Sequence, residues 1–270
     1  MQSLFLSAQY LRYLFISKGA HGIHSSFVYS LYNEVIKENR NFYEFQPIER
    51  LRRELLYSDK TIEVTDFGAG GQTGESMPHV KHTALVNRQV REIARRSSVS
   101  PKKGRMLFRL VNFLQPGVMV ELGTSLGVST LYQFKGRPEA TLYTLEGSAA
   151  TAEIARDNFR KLNASSIVQV VGNFEDTLPP LLNKLPSVDY VFFDGNHRKE
   201  ATLEYFYGFL PRAADNTVFI FDDIRWSRGM YEAWIEIIKD KKATVTIDLF
   251  TFGIIFFRRQ QAKQHFVVKF

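Results

Sequence analysis

The chain contains no cysteine among its 270 residues. That absence excludes disulfide bonds, thiolate nucleophiles and zinc sites built on thiolates. Long apolar runs are also missing, because no stretch approaches the ~18 residues that cross a bilayer as a helix. The first residues, MQSLFLSAQYLRYLF, are interrupted by Gln9, Tyr10 and Arg12 and lack a small-residue cleavage site. We therefore expect a cytoplasmic protein with no membrane span.

Charge is not concentrated in one block either, although the formal net charge is +7 at pH 7. Such an excess raises the question of an acidic partner. The basic residues are dispersed, and the densest group, within residues 81–109, has the spacing of a solvated helix face. Nucleic acid is therefore not the expected partner.

The chain divides into two parts by pattern. Residues 1–99 are rich in aromatics and show no alternation of strand and helix, so we expect short helices and loops that form a cap or an oligomerisation segment. A homodimer through this segment is one option. From residue 100 to 270, strands alternate with amphipathic helices, which predicts an α/β domain with a mostly parallel sheet. The predicted strands are 118–122, 141–146, 167–171, 189–194 and 217–222, and the helices are 104–114, 128–134, 149–162, 176–184, 199–210 and 228–239.

The end of the domain breaks this alternation. Residues 243–249 and 253–258 read as two strands, and the link between them is too short for a crossover helix. The two strands must therefore pair antiparallel. The expected shape is an open, doubly wound parallel sheet that closes with an antiparallel hairpin.

A glycine turn follows the first predicted strand, in the stretch VMVELGTSLG from Val118 to Gly127. The dinucleotide fingerprint needs further glycines where Ser125 and Val128 stand, and the Lys of a phosphate loop is also missing. Fewer glycines suit a cofactor that has ribose and adenine but no phosphates, and S-adenosylmethionine fits. Glu146, about 20 residues further on, stands where a ribose-binding acid belongs. The alternative is a plain structural turn.

A second glycine-rich stretch, Val64 to Gly71, is followed by no amphipathic helix and no strand that ends in an acid. We interpret it as an ordered loop. Bordering the site is an open alternative, since such loops often carry function.

Acidic residues also stand at the ends of two later strands. Asp194 closes DYVFFD, and Asp222 with Asp223 closes TVFIFDD. Three carboxylates without cysteine suit a hard divalent ion such as Mg²⁺, whereas the alternative is that they cap the following helices. His197 follows on a loop, and an imidazole with a pKa of about 6.5 can take a proton at neutral pH; a structural hydrogen bond is the alternative.

Taken together, the motifs ELGTSLGVSTLY, TLYTLEG, VVGNFEDTL, DYVFFDGNH and VFIFDDI resemble those of class I S-adenosylmethionine-dependent methyltransferases. The group most similar is that of the catechol and caffeoyl-CoA O-methyltransferases and their bacterial relatives. The resemblance covers residues 100–258 and implies a Rossmann-like, seven-stranded sheet with an antiparallel last strand. It also implies S-adenosylmethionine as the cofactor.

The resemblance implies roles for particular residues. Asp194, Asp222 and Asp223 match the metal ligands, with Asp223 where the family usually has asparagine. His197 occupies the position of the family's catalytic lysine, so His197 and Asp194 are the expected catalytic residues. The implied cofactor-binding residues are Glu121, Gly123, Thr124, Ser125, Gly127, Ser129, Glu146, Gly147, Asn173, Phe174 and Asp194.

The expected reaction is methyl transfer to a hydroxyl of a small molecule, with His197 as base and Mg²⁺ as an option on the acceptor oxygen. Arg225 and Trp226 are candidates to line the acceptor pocket, and Trp226 is alternatively a packed aromatic. A nucleic-acid methyltransferase is a second interpretation, although DGNH stands where an N-P-P-Y motif is needed. The third is a non-catalytic interaction module that uses residues 1–99 for assembly.

Overall fold

The computed structural model describes residues 2–66 and 84–270. The helices are α1 (Gln2–Ile16), α2 (Ser26–Leu31), α3 (Phe45–Leu56), α4 (Val90–Ser97), α5 (Pro101–Leu114), α6 (Val128–Gly136), α7 (Ala149–Lys161), α8 (Phe174–Lys184), α9 (Lys199–Phe209) and α10 (Arg228–Ile237). The strands are β1 (Thr61–Asp66), β2 (Ala84–Gln89), β3 (Val118–Leu122), β4 (Thr141–Glu146), β5 (Val168–Val171), β6 (Val188–Phe193), β7 (Ala213–Phe221), β8 (Val245–Asp248), β9 (Gly253–Phe256) and β10 (Gln264–Val267).

These elements form two compact units. The first unit combines Met1–Glu38 with Lys184–Phe270, and the second is Asn39–Asn183. The predicted domain boundary after residue 99 separates two continuous stretches of sequence, whereas the first unit combines two distant segments. That boundary stays a prediction. Within residues 2–66 and 84–270, no helix has both the length and the hydropathy to cross a membrane.

In the second unit, β3, β4 and β5 are parallel neighbours in that order. Each strand is followed by a helix, as the alternation predicted. Serines begin two of the helices: the Ser100 hydroxyl accepts the N–H of Lys103 before α5, and the Ser148 hydroxyl accepts the N–H of Thr151 before α7. Such caps pair main-chain N–H groups that a helix start leaves free.

The second unit also contains a hairpin that the sequence pattern did not predict. Strands β1 and β2 pair antiparallel, with Thr61 opposite Gln89. Only Ile62 is buried among its large apolar residues, and Leu85 is 65% exposed. A ribbon with so little burial gives no clear alternation of apolar and polar residues, so its strands leave little trace in the sequence. The glycine-rich stretch from Val64 to Gly71 begins within β1, and residues 67–71 lie outside the described residues.

In the first unit, five strands lie in the order β10-β8-β9-β7-β6. Strands β6 and β7 are parallel, and β9 is antiparallel to both β7 and β8. The predicted antiparallel hairpin is therefore confirmed. The expected strand count is short by one, because β10 adds a further strand parallel to β8. Strands β3 to β10 of the two units number eight. The sequence pattern did not predict β10, because its four residues form a short, largely exposed edge strand.

Candidate functional site

The glycine turn between β3 and α6 has a left-handed backbone at three positions. Gly123 has φ of 104°, Ser125 of 47° and Gly127 of 82°. The N–H groups of Gly123 and Thr124 both donate to the Leu145 carbonyl at 3.0 Å, which fastens the turn to the end of β4. A serine in the left-handed region is uncommon, and such strain persists only where surrounding contacts hold it.

Glu146 provides that contact. Its Oε2 accepts the Ser125 N–H at 2.8 Å, and its Oε1 accepts the Ser148 N–H at 3.0 Å. Burial raises the pKa of Glu146, while the N–H groups of Ser148, Ser125 and Gly147 lower it. The side chain is still partly exposed. A carboxylate fixed in this way is a ready acceptor for ligand hydroxyls.

The loop before α8 lies at the same strand end. The Gly172 N–H donates to the Glu146 carbonyl at 2.9 Å. Asn173 then caps α8, since its carbonyl accepts the N–H groups of Asp176 and Thr177 and the Thr177 hydroxyl. The structure therefore brings together Ser125, Glu146 and the Asn173–Phe174 segment, and their binding of a cofactor stays a prediction. Asn173 also stabilises the start of α8 through these hydrogen bonds.

Glu121 is fully buried in a network of hydroxyl and amide donors. Its carboxylate accepts the hydroxyl of Thr144 at 2.7 Å, the Gln133 amide at 2.6 Å and the Thr130 hydroxyl at 2.5 Å. Burial raises its pKa, and hydrogen bonds from these residues and from the Ser129 hydroxyl oppose the rise. The Thr144 hydroxyl also lies 2.6 Å from Thr124 Oγ1.

This network joins β3, β4 and α6 beneath the turn, so the Glu121 carboxylate is committed to internal bonds. Its predicted contact with a cofactor stays a prediction, as do those of Thr124 and Ser129. Sequence reasoning missed Thr130, Gln133 and Thr144. For Thr130 and Gln133 the signal was their i, i+3 spacing in the helix that follows Glu121. Thr144 shares β4 with Thr141 and Tyr143 and carried no distinct signal.

Two observations bear on whether the turn fits a nucleoside cofactor. The Ser125 hydroxyl oxygen is buried and has no hydrogen-bond partner among the described residues. Such a group calls for a polar partner. A Cβ on Gly127 would lie 2.5 Å from the Phe159 ring, so that glycine allows α7 to pack closely. The unpaired hydroxyl beside an anchored carboxylate fits a ligand that is rich in hydroxyl and amino groups.

The predicted catalytic residues, Asp194 and His197, lie in the first unit after β6, and Asp222 and Asp223, predicted as metal ligands, follow β7. The Asp222 N–H donates to the Phe193 carbonyl at 2.9 Å, which joins the two strand ends. His197 Nε2 lies 3.8 Å from Asp194 Oδ1, an ion-pair distance when the imidazole is protonated. The structure thus places Asp194 beside His197 and at a strand end adjoining that of Asp222.

The same residues do not form a metal centre as they are placed. Asp222 Oδ1 accepts the Asp223 N–H at 2.7 Å, and Asp223 has a left-handed φ of 52°. Across the described ranges, no three His, Asp or Glu side chains are grouped so as to hold an ion. The site predicted for Mg²⁺ on Asp194, Asp222 and Asp223 therefore stays a prediction, and no chemical step is assigned to it.

The two candidates for an acceptor pocket have different surroundings. Arg225 is buried and forms a bidentate pair with Asp248, at 2.8 Å from Nη1 to Oδ1 and 2.7 Å from Nη2 to Oδ2. Its guanidinium therefore holds the loop after β7. Trp226 is 55% exposed, which excludes the packed alternative, and its ring centroid lies 6.4 Å from that of His197. Gln2 of α1 donates to the Trp226 carbonyl at 2.7 Å.

Comparison with known proteins identifies a similar domain and a similar fold. Residues 120–224 match the family model described as a methyltransferase domain. Over 131 residues the chain is 32% identical to the catechol O-methyltransferase of Mycobacterium tuberculosis, covering 48% of this chain and 58% of the relative. The catechol O-methyltransferase of Niastella koreensis is also 32% identical, over 130 residues, with 47% and 58% covered. The chain thus spans a little over half the length of these relatives.

Solved structures extend the likeness to the fold. An O-methyltransferase from Bacillus cereus, in complex with SAH, superposes with a TM-score of 0.53 at 23% identity and covers 60% of this chain and 83% of its own. One from Streptomyces achromogenes, in complex with SAM, gives 0.51 at 20% identity, covering 60% and 82%. Residues 120–224 therefore match a methyltransferase domain model, and the fold is similar to that of these O-methyltransferase structures.

Proposed function

We propose that the protein transfers a methyl group from S-adenosylmethionine to a hydroxyl of a small molecule. The observation that carries the proposal is the pairing of Glu146 with Ser125, which leaves a partly exposed carboxylate beside a strained turn. The methyltransferase domain and the names of its relatives support the same reaction. When bound, the cofactor supplies an electrophilic methyl group.

The residues of the second unit bind that cofactor. Glu146 accepts the ribose hydroxyls, because each of its oxygens keeps a lone pair beyond the one used by a main-chain N–H. The turn from Gly123 to Gly127 contacts the amino-acid part, with the Ser125 hydroxyl as a free polar group. Gly147 approaches the ribose, and Asn173 and Phe174 flank the adenine. Much of the rate comes from positioning, which can supply up to ~7–11 kcal/mol.

The residues of the first unit bind and deprotonate the acceptor. His197 takes the proton from the acceptor hydroxyl, which makes that oxygen nucleophilic. The bound cofactor would supply the methyl group to it and would leave as a neutral thioether, with the electron pair of the broken S–C bond on sulfur. Asp194, 3.8 Å from the imidazole, stabilises the charge that His197 gains. The exposed ring of Trp226 offers an apolar wall for the acceptor.

Assistance by Mg²⁺ is a separate part of the proposal. Measuring turnover during a titration with EDTA and then Mg²⁺ tests it. Loss and recovery of activity would support a metal, and unchanged activity would leave His197 and positioning to carry the reaction.

A cytoplasmic location and a homodimer through residues 1–99 are further proposals. Sedimentation velocity at several protein concentrations tests the dimer, and a single species with the monomer's mass would exclude it.

The first experiment is a calorimetric titration of the protein with S-adenosylmethionine. We expect a Kd near 1 μM, about −8 kcal/mol, and a loss of at least tenfold in Glu146→Ala. The matched control is Glu153→Ala, which removes an exposed glutamate from α7. No binding by the wild type would favour the interaction module. Salt-dependent RNA binding would favour the interpretation as a nucleic-acid methyltransferase.

A further inference from the structure

Helix α1 carries apolar side chains on two opposite faces. One face packs on the first unit: Tyr13 is buried, Phe5 meets Tyr231 at 6.0 Å between ring centroids, and Tyr10 meets Phe250 at 5.1 Å. The other face, which we call the outer stripe, consists of Leu4, Leu11, Leu14 and Phe15. Their spacing of i, i+7, i+10 and i+11 places them on one side of a helix.

The outer stripe is exposed to a degree unusual for such residues. Leu4 is 76% exposed, Leu11 57%, Leu14 48% and Phe15 88%. Single exposed apolar residues are ordinary, but a contiguous group marks an interaction surface. A helix that is apolar on two faces is normally covered on both. The packed face of α1 holds the helix to the protein, so the outer stripe is presented as a fixed ridge.

The segment that carries the stripe is positively charged. Residues 1–33 contain no Asp or Glu. Arg12 and Lys18 are exposed, and neither forms an ion pair with the residues that the structure describes. Lys269 adds a third exposed cation at the C-terminal end of α1, because its N–H donates to the Lys18 carbonyl at 3.1 Å. The partner that complements an apolar ridge with a cationic border is apolar and anionic.

A second copy of α1 fits these features less well. It would bring Arg12 and Lys18 against like charges with no acid on either helix to pair them. A helix of 15 residues is about 22 Å long. Two such helices in contact cover much less than the ~800 Å² per partner of a stable interface.

We propose that α1 docks the protein on an anionic lipid bilayer. The helix lies in the plane of the membrane interface, with the outer stripe at the boundary between headgroups and acyl chains. Arg12, Lys18 and Lys269 contact the lipid phosphates. This inference does not rest on the proposed methyl transfer.

Sedimentation with vesicles tests the proposal. One set contains phosphatidylcholine alone, and the other contains about one-third phosphatidylserine, which raises the negative surface potential. We expect the wild type to sediment with the anionic vesicles and to be released by salt. Leu11→Glu with Phe15→Glu should lower the partition coefficient about tenfold or more. Arg12→Ala and Lys18→Ala should each lower it about fivefold.

The matched control is Leu85→Glu, which adds the same charge at a leucine that is 65% exposed on β2. It should bind like the wild type. Thermal melts of all variants establish that they are folded. The proposal fails if the wild type does not sediment with anionic vesicles or if it binds neutral vesicles equally well. It also fails if the stripe variant, Leu11→Glu with Phe15→Glu, still binds. A stripe variant that instead dissociates a wild-type dimer would assign the stripe to a second copy.

Discussion

Glu146 illustrates at the residue scale how a single side chain can hold the fold and remain available to a ligand. Both carboxylate oxygens accept main-chain N–H groups, from Ser125 and Ser148, yet the side chain is partly exposed. Those bonds fix its direction before any ligand arrives. The entropy cost of ordering a flexible glutamate is then met during folding rather than during binding.

The raised pKa of Glu146 leads us to predict a pH-dependent affinity for S-adenosylmethionine. Burial raises this pKa above its ordinary value of 4.5. In the proposed function the ionised form accepts the ribose hydroxyls, so we expect affinity to be full above the raised pKa and to fall as the pH falls through it. Calorimetry from neutral pH down to 4.5 measures the effect, with Glu146→Gln as the variant that loses it. A wild-type affinity that stays constant over this range would contradict the role.

Thr144 provides a second prediction at this scale, because its hydroxyl links Thr124 to Glu121. Thr144→Val keeps the shape and removes the hydroxyl, which leaves buried polar groups short of a partner. We expect a loss of about 1–3 kcal/mol in the free energy of unfolding, measured by urea denaturation. Thr144→Ser keeps the hydroxyl and should recover most of it. Equal losses in both variants would mean that methyl packing, rather than the hydrogen bonds, matters.

Among the elements, the loop after β7 is held by a buried ion pair. Arg225 and Asp248 form two hydrogen bonds to each other, and Trp234 Nε1 donates to Asp248 Oδ2 at 3.2 Å. Breaking a buried pair leaves one charge uncompensated. We therefore expect Asp248→Asn to destabilise the protein by about 3–5 kcal/mol, measured by chemical denaturation.

The control for this change is Asp157→Asn, which removes an exposed i,i+3 pair with Arg160. It should cost less than about 1 kcal/mol. If both substitutions cost the same, the buried pair would be no stronger than a surface one.

The sequence predicted most of these elements because burial gives them a pattern. Strand β7, for example, ends in a run of buried apolar residues, and helix α10 after it is buried on one face only. The hairpin of β1 and β2 and the edge strand β10 are largely exposed, so their residues carry no such pattern. Glu146 was predictable from its distance to the glycine turn. The Glu121 network and the Arg225–Asp248 pair depend on contacts between distant residues, which spacing along the chain does not reveal.

At the scale of the whole molecule, the beginning and the end of the chain are joined through Tyr13. Its hydroxyl donates to the Val268 carbonyl at 2.6 Å and accepts the Phe270 N–H at 3.0 Å. Burial raises the pKa of Tyr13 from 10.0 to about 12. The raised pKa means that its contribution to stability is full below pH 10 and is lost between pH 10 and about 12.

We expect Tyr13→Phe to lower the free energy of unfolding by about 1–3 kcal/mol at neutral pH, because two main-chain groups lose a partner. The gap between this variant and the wild type should close as the pH rises from 10 to about 12. Urea denaturation at a series of pH values measures both. Tyr57→Phe, at a tyrosine that is 82% exposed, is the control. A gap independent of pH would show that packing alone accounts for the loss.

The first unit is formed by two distant segments of the chain, and this has a consequence for synthesis of the protein. Met1–Glu38 packs with Lys184–Phe270, so residues 39–183 must be translated before the first segment meets its partner. At about 5–20 residues per second, that interval lasts roughly 7–30 s. Throughout it, the nascent α1 leaves the ribosome with both of its apolar faces uncovered. The helix is therefore open to capture by chaperones or membranes before the rest of its own unit exists.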